Sequence, residues 1–477
     1  MRSIKKHLSV GACLLLGTGM HASPQAFAPA LNATRDSVPS AWEYESTYFN
    51  TLPSDDSWWQ GFDDPVLSAL ISRGEDNSFD LSMTRRRIEM ARQSWELARS
   101  AYYPTIGITA GWNRDRSSAY TAAAMGQAVT TSYLSLGLNF SWEIDVFGRV
   151  AAQSKESKAA YTATKAEYQA AMISLSSNIA TAYFNLRLVQ GRIAIALAQI
   201  DSQMKMKTIA EARHEAGLAS KLDVAQALTV LYTTQATLPQ LENLERSAIN
   251  SIALLVGCYP DQIKESLAPG PELPNPFRVV NLGVPADLLR RRPDIARAEA
   301  ELAGYAAAVG VAKKDFLPTL TLTGSMGTME HSPKDLFKSK SFTYSIAPQL
   351  SWTIFEGLAR NHRVASAKEQ MLAGIDNYNL TVMQAVIEAD DAMSGYDSAL
   401  RQIALEKKVL DESRELFSLA VDRYKRGLSA FTDVMNAQVT LLESENSYLQ
   451  TKASALTALV KVYAAVAGTP EGSTPSK

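Results

Sequence analysis

The chain has 477 residues and only two cysteines, Cys13 and Cys258, so it contains no disulfide framework. Formal charge is nearly balanced, with 47 basic against 49 acidic residues, which removes the electrostatic case for nucleic acid as a partner. No apolar run reaches the roughly 20 residues that a membrane-spanning helix needs. Beyond the N-terminal region the histidines are His214, His331 and His362, too scattered for metal-ligand spacing, and no metal or cofactor is expected. The segment TGSMG (323–327) lacks the first glycine of a nucleophile elbow, and there is no phosphate-cradling glycine loop. Nothing in the chain points to an enzyme.

What the chain does have is two strands of strict period two. In 132–144, SYLSLGLNFSWEI, the residues Leu134, Leu136, Leu138, Phe140, Trp142 and Ile144 alternate with Ser135, Gly137, Asn139, Ser141 and Glu143. Residues 342–354, FTYSIAPQLSWTI, repeat the pattern with Phe342, Tyr344, Ile346, Leu350, Trp352 and Ile354 on one side. Each is preceded by a shorter alternating strand that begins after a proline, Pro104 in AYYPTIGITAG and Pro318 in DFLPTLTLTG. Proline removes a donor and biases its predecessor toward extended backbone, so both mark a helix-to-strand switch. Pro348, inside the last strand, predicts a bulge or bend. Apolar-out, polar-in strands of this length, with aromatics near their ends, fit a membrane β-barrel, where every backbone polar group must be paired. Four strands are too few to close.

After each hairpin come about 65 residues nearly free of Pro and Gly, ending at Arg213 and Arg423. In the second copy Ile375, Tyr378, Val382, Ala385, Ala389, Ala392, Tyr396, Ala399 and Ile403 form a heptad seam. A helix of that length reaches on the order of 100 Å, which suits a tube or stalk. The segments RHEAGLASKLDV (213–224) and RYKRGLSAFTDV (423–434) match at an offset of 210 and read as two helical hairpin tips, with Gly217 and Gly427 in the left-handed position. The expected organisation is a signal peptide (1–30), an N-terminal arm (31–76), a first repeat (77–256, hairpin 104–144), a Pro-rich crossing segment (257–293), a second repeat (294–467, hairpin 318–354) and a flexible tail (468–477). Val10-Gly11-Ala12-Cys13 also spells a lipoprotein cleavage box, although most of the apolar segment follows Cys13 rather than preceding it.

Together with SWWQGFDDPVLSALI (57–71) and LLRRRPDIARAEAEL (288–302), the Gly-Leu-x-x-x-x-Asp-Val tips resemble the outer-membrane efflux factors of the TolC and OprM type over almost the whole chain. The resemblance implies a membrane β-barrel joined to a long α-helical barrel in the periplasm, closed only as a homotrimer. Each chain would supply four strands and its long helices in two internal repeats. It also implies an exit channel in the outer membrane for drugs or other small toxic compounds. The partners would be a periplasmic adaptor, an inner-membrane transporter and outer-membrane lipid. A type I protein-secretion duct and a free-standing porin are the alternatives. An oligomer follows from strand count in any case, and two copies would give eight strands around an interior already filled by side chains.

The resemblance assigns Asp433 and Asn436 to a constriction at the closed periplasmic end, where three copies of Asp433 would repel one another and attract cations. Asp223 and Tyr424 match a contact linking the two hairpins, and Ser429 stands where TolC-type relatives carry a lock arginine, which leaves the lock either to Asp223 with Tyr424 or to nearby Arg423, Lys425 or Arg426. Ser220 to Asp223 also spells a capping box, so Asp223 has a structural role open to it. In the second tip Ala430 breaks that box. Gly217, Leu218, Gly427 and Leu428 are the expected adaptor-docking tips, since turn geometry accounts for the glycines but not for exposed leucines.

Overall fold

A computed structural model describes residues 39, 41, 42, 44, 47–50, 57–120, 127–270 and 272–467. The signal peptide, Cys13 and the tail at 468–477 lie outside these. The elements in chain order are β1 (Phe49–Asn50), α1 (Pro65–Asn77), α2 (Phe79–Ser100), β2 (Thr105–Arg116) and β3 (Thr130–Ile144). Then come α3 (Arg149–Glu215), α4 (Lys221–Leu255), β4 (Val280–Asn281), α5 (Pro285–Arg291) and α6 (Pro293–Lys314). The chain ends with β5 (Thr319–Glu330), β6 (Phe342–Ser351), α7 (Ala359–Lys425) and α8 (Phe431–Val466). Among the described residues no helix is long and apolar enough to cross a membrane.

The duplication is metrical. Helices α3 and α7 are each 67 residues long, α2 and α6 each 22, and β2 and β5 each 12. Both hairpins are tied to the helix before them by the same device. Trp142 Nε1 donates to the Tyr102 carbonyl and Trp352 Nε1 to the Phe316 carbonyl, each at 2.9 Å, and each acceptor lies two residues before the switching proline.

The strands form one antiparallel sheet in the order β2-β3-β5-β6. Its register sorts the side chains. Ile106 lies opposite Phe140, Phe140 opposite Gly324 and Gly324 opposite Ile346. One face therefore carries Ile106, Ile108, Ala110 and Trp112 from β2, Leu134 through Ile144 in alternation from β3, Leu320, Leu322 and Met326 from β5, and Phe342, Tyr344, Ile346 and Leu350 from β6. The other carries mainly Thr, Ser, Asn, Gln and Gly with Asp115, Tyr133 and Glu143, interrupted by Met329 and Ala347, and it borders a hollow of about 500 Å³ lined by Thr105, Thr109, Asn139, Thr323 and Ser345 among others. Apolar outside and polar inside is the pattern of a barrel wall. The sheet is nevertheless open, because among the described residues β2 and β6 each have one neighbour only.

Two details differ from expectation. The β5–β6 ladder passes through the Leu322–Pro348 pair without a slip, so no bulge forms there. Pro348 sits on an edge strand, where a missing donor is tolerated. Strand β6 also stops at Ser351, so Trp352 and Ile354 lie beyond it, the former anchored to the α6–β5 junction instead.

Packing below the sheet is helical. Asp64 caps α1, accepting from the amides of Val66 (2.9 Å) and Leu67 (3.1 Å), and its other oxygen takes the Tyr183 hydroxyl at 2.6 Å. Asp145 does the same for α3, accepting from Val150 and Ala151. The main core joins α1, the middle of α3, α7 and α8 around Ile71, Ile179, Phe184, Tyr396 and Leu456, all essentially without solvent access. Each such aliphatic or phenyl side chain contributes about 1.5–3 kcal/mol by burial. The α7 seam runs through Tyr378, Val382, Ala385, Ala389, Tyr396 and Ile403 as the heptads predict, but Met393 and Leu400 are fully buried beside it and Ala392 and Ala399 only half-buried. A second, separate cluster occupies the hairpin tips, with Met206, Ala210, Val421, Tyr424, Phe431 and Val434.

Gly324 sets a condition on the barrel wall. A Cβ there would stand 2.0 Å from the Phe140 ring, whereas one at Gly107 meets nothing within 4 Å. Gly324→Ala should therefore lower the unfolding free energy by about 1–3 kcal/mol. Gly107→Ala should leave it close to wild type, and thermal unfolding of the detergent-solubilised protein distinguishes the two.

Candidate functional site: the helical hairpin tips

Each long helix ends in the same way. The Gly217 amide donates to the His214 carbonyl (2.9 Å) and the Leu218 amide to Arg213 (2.8 Å). In the second tip Gly427 donates to Tyr424 (2.9 Å) and Leu428 to Arg423 (2.9 Å). These paired bonds are the Schellman closure, and they need a residue with positive φ. Gly217 and Gly427 have φ of 72° and 74°. The closure aims Leu218 and Leu428 outward, at 68% and 65% exposure.

The two tips then diverge at matched positions. At 220 and 430 the first has serine and the second alanine. Ser220 accepts from the Asp223 amide at the start of α4 and donates its own hydroxyl to Asp223 Oδ1 at 2.8 Å. The N-terminus of α8 begins at Ala430 with no side-chain cap. At 214 and 424 the first has histidine and the second tyrosine. His214 Nδ1 donates back to the Ala219 carbonyl of its own loop (3.0 Å). Tyr424 instead lies between the hairpins, buried, with its ring edge-on to Phe431 at 5.2 Å.

The Tyr424 hydroxyl donates to Asp223 Oδ2 at 3.3 Å, crossing from the second hairpin to the first. That is long for an O–H···O bond, usually about 2.7–2.8 Å, so its contribution falls at the lower end of about 1–3 kcal/mol. One Asp223 oxygen therefore braces the Ser220 cap of α4 and the other meets the second hairpin. Burial, and next the Asp223 carboxylate, push the Tyr424 hydroxyl pKa above its ordinary value, which keeps the proton on the donor.

The cation at this junction is one that sequence reasoning did not single out. Arg423, Lys425 and Arg426 are exposed. Arg213 of the first hairpin reaches across, its guanidinium 4.9 Å from the Tyr424 ring centroid and its Nη1 3.0 Å from the Lys425 carbonyl at the end of α7. It thus serves the second helix's C-terminal dipole and stacks on the aromatic ring at once. The signal was present in the repeat, because Arg213 is the counterpart of Arg423, but only the packing shows which of the two turns inward. The Ser429 hydroxyl is enclosed and has no hydrogen-bond partner among the described residues. Asp433 and Asn436 lie on the exposed face of α8, away from the tip cluster, uncovered by any described residue.

A two-faced sheet carried on helices about 100 Å long makes a membrane wall continuous with a duct. Residues 70–258 and 284–468 match the family described as outer membrane efflux protein, and the chain belongs to that family. Over 408 residues it is 29% identical to the solvent efflux pump outer membrane protein SrpC of Pseudomonas putida, covering 85% of this chain and 86% of that one. It is 28% identical over 472 residues to the pyoverdine export outer membrane protein OpmQ of Pseudomonas aeruginosa, covering 98% and 97%. The solved outer-membrane channel OprN superposes with a TM-score of 0.84 at 28% identity, covering 90% of this chain and 97% of that one.

Two measurements follow from the tip geometry. Ala430→Ser restores the missing cap and should stabilise the start of α8 by about 1 kcal/mol, read as slower amide exchange at 431–434. Because Tyr424 holds its proton more tightly when folded, its contribution is complete below its unfolded pKa of about 10 and is lost as pH rises through the raised folded value. An alkaline loss of tip protection that disappears in Tyr424→Phe is the expected result.

Proposed function

We propose that the protein is the outer-membrane exit channel of a tripartite efflux pump. The observation that carries this reading is the sheet register, which produces an apolar outer face and a mainly polar inner face while leaving β2 and β6 without a second neighbour among the described residues. In lipid such edges must be paired. Three copies pairing β2 to β6 would give twelve strands and an open lumen, where two would give a filled barrel. The helices would then form the periplasmic duct, closed at its far end by the tips.

Three copies of Asp433 and Asn436 would line that end as a cation-attracting constriction, and each chain's Tyr424–Asp223 bond and Arg213 bridge would hold its two hairpins together. The exposed leucines beside Gly217 and Gly427 suit docking by the helices of a periplasmic adaptor. Opening would be paid for by adaptor contacts and transport by an inner-membrane transporter. Relatives named for solvent, antibiotic and pyoverdine export support small molecules as cargo over polypeptides.

Single-channel recording in planar bilayers tests the gate. Wild type should show a small, cation-preferring conductance, and Asp433→Ala should raise the conductance or weaken the preference. A large, weakly selective wild-type channel unaltered by the substitution would favour a free-standing porin. Inactivating the inner-membrane transporter with this protein left in place should abolish export, and continued export would refute the pump assignment.

A further inference from the structure

The outer face of β2 does not stay apolar to its end. Ile106, Ile108, Ala110 and Trp112 are followed in the same row by Arg114 and Arg116, which lie opposite Ser132 and Thr130 of β3. Both arginines are exposed, and neither side chain has a hydrogen bond or ion pair among the described residues. The nearby acids do not serve them. Asp115 belongs to the opposite, inward face of the strand, where Asn113 also bonds the Tyr133 hydroxyl. Glu330 shares the outward face but sits opposite Leu134, two strands across from Trp112 and one pair below Arg114. No ion pair joins it to either arginine among the described residues.

The placement along the membrane normal is fixed by connectivity. The Thr105 end of β2 and the Ile144 end of β3 join helices α2 and α3, so Arg116 and Thr130 are at the end remote from the helical duct. On the reading that the duct is periplasmic, this is the outer-leaflet end. The two guanidinium groups thus stand on the lipid-facing side, directly above the tryptophan that closes the apolar row, at the depth of lipid headgroups. Residues i and i+2 of a strand are about 7 Å apart on one face, close enough for both to approach one doubly charged anion. Guanidinium forks match phosphate oxygens bidentately.

We propose that Arg114 and Arg116 form a binding site for a phosphate monoester headgroup of an outer-leaflet lipid, with its acyl chains lying along Trp112, Ala110 and Ile108. The dianion selects a monoester over a singly charged diester, and the apolar row beneath selects a lipid over free phosphate. The inference rests on the membrane-channel reading.

Native mass spectrometry of the full-length protein in neutral detergent, titrated with monophosphoryl lipid A, tests it. Retained lipid is expected for wild type and for Asp115→Asn. Affinity should fall at least tenfold in Arg114→Gln/Arg116→Gln, and by a smaller factor in each single variant and in the double lysine variant. Dephosphorylated lipid A and inorganic phosphate should bind at least tenfold more weakly than the phosphorylated lipid, and phosphatidylglycerol more weakly as well. Equal binding by the double glutamine variant, or by the single variants should the double one not fold, overturns the site. Equal binding of phosphatidylglycerol overturns the monoester assignment, and equal binding of free phosphate overturns the lipid one. Bilayer insertion of the same preparations separates the two levels of the account. A protein that inserts yet binds lipid independently of the arginines refutes this inference alone, and one that does not insert refutes the channel reading with it.

Discussion

The pairing of backbone donors and acceptors at the edges of β2 and β6 is the constraint from which the rest follows. In water an open edge is merely a hazard, but within a bilayer each unpaired amide or carbonyl costs several kcal/mol. Four strands cannot satisfy that demand alone, and among the described residues the sheet has no further strand to close it. Copies of the same sheet are the available partners, and the proposed trimer supplies them. The helices show the same incompleteness. On α2, Met83, Met90 and Leu97 recur every seven residues at 54%, 68% and 73% exposure, and on α7 Leu380, Met383 and Ile387 form a second uncovered row. Such stripes on helices without a membrane span are what a neighbouring subunit would cover.

Duplication provides the length and divergence provides the site. Two 67-residue helices with the same Schellman ending present equivalent tips, yet few of the matched polar positions have kept the same task. Ser220 caps where Ala430 does not, and Tyr424 crosses to Asp223 where His214 folds back on its own loop. Asp223 is half-buried and engaged with both hairpins, while its counterpart Asp433 is left exposed on α8. One carboxylate is thereby available to hold the hairpins together, and the other to face a lumen.

Much of this architecture is legible in the residues because its signals are local and periodic. Alternation in 132–144, the prolines at 104 and 318, and the glycines at 217 and 427 each act through the backbone of their own segment, and the strands, switches and turns stand where they predict. The misses are tertiary. Pro348 bends nothing because the β5–β6 register runs through the Leu322–Pro348 pair unbroken, a matter of strand pairing rather than of sequence. Met393 and Leu400 are fully buried where Ala392 and Ala399 are only half-buried, because larger side chains fill the space between α7 and the main core. Arg213 could not be chosen over Arg423 without knowing which hairpin lies inside the other's reach, and the family comparison at Ser429 directed attention to the second tip, whereas the cation that crosses comes from the first.

The central claim is that one polypeptide cannot enclose the pore. The most direct measurement is the number of chains per particle in detergent, by native mass spectrometry or light scattering, taken together with the amide infrared band for β-structure. Three chains per particle with antiparallel sheet is the result the account predicts. A monodisperse monomer that retains the same sheet signal would contradict it.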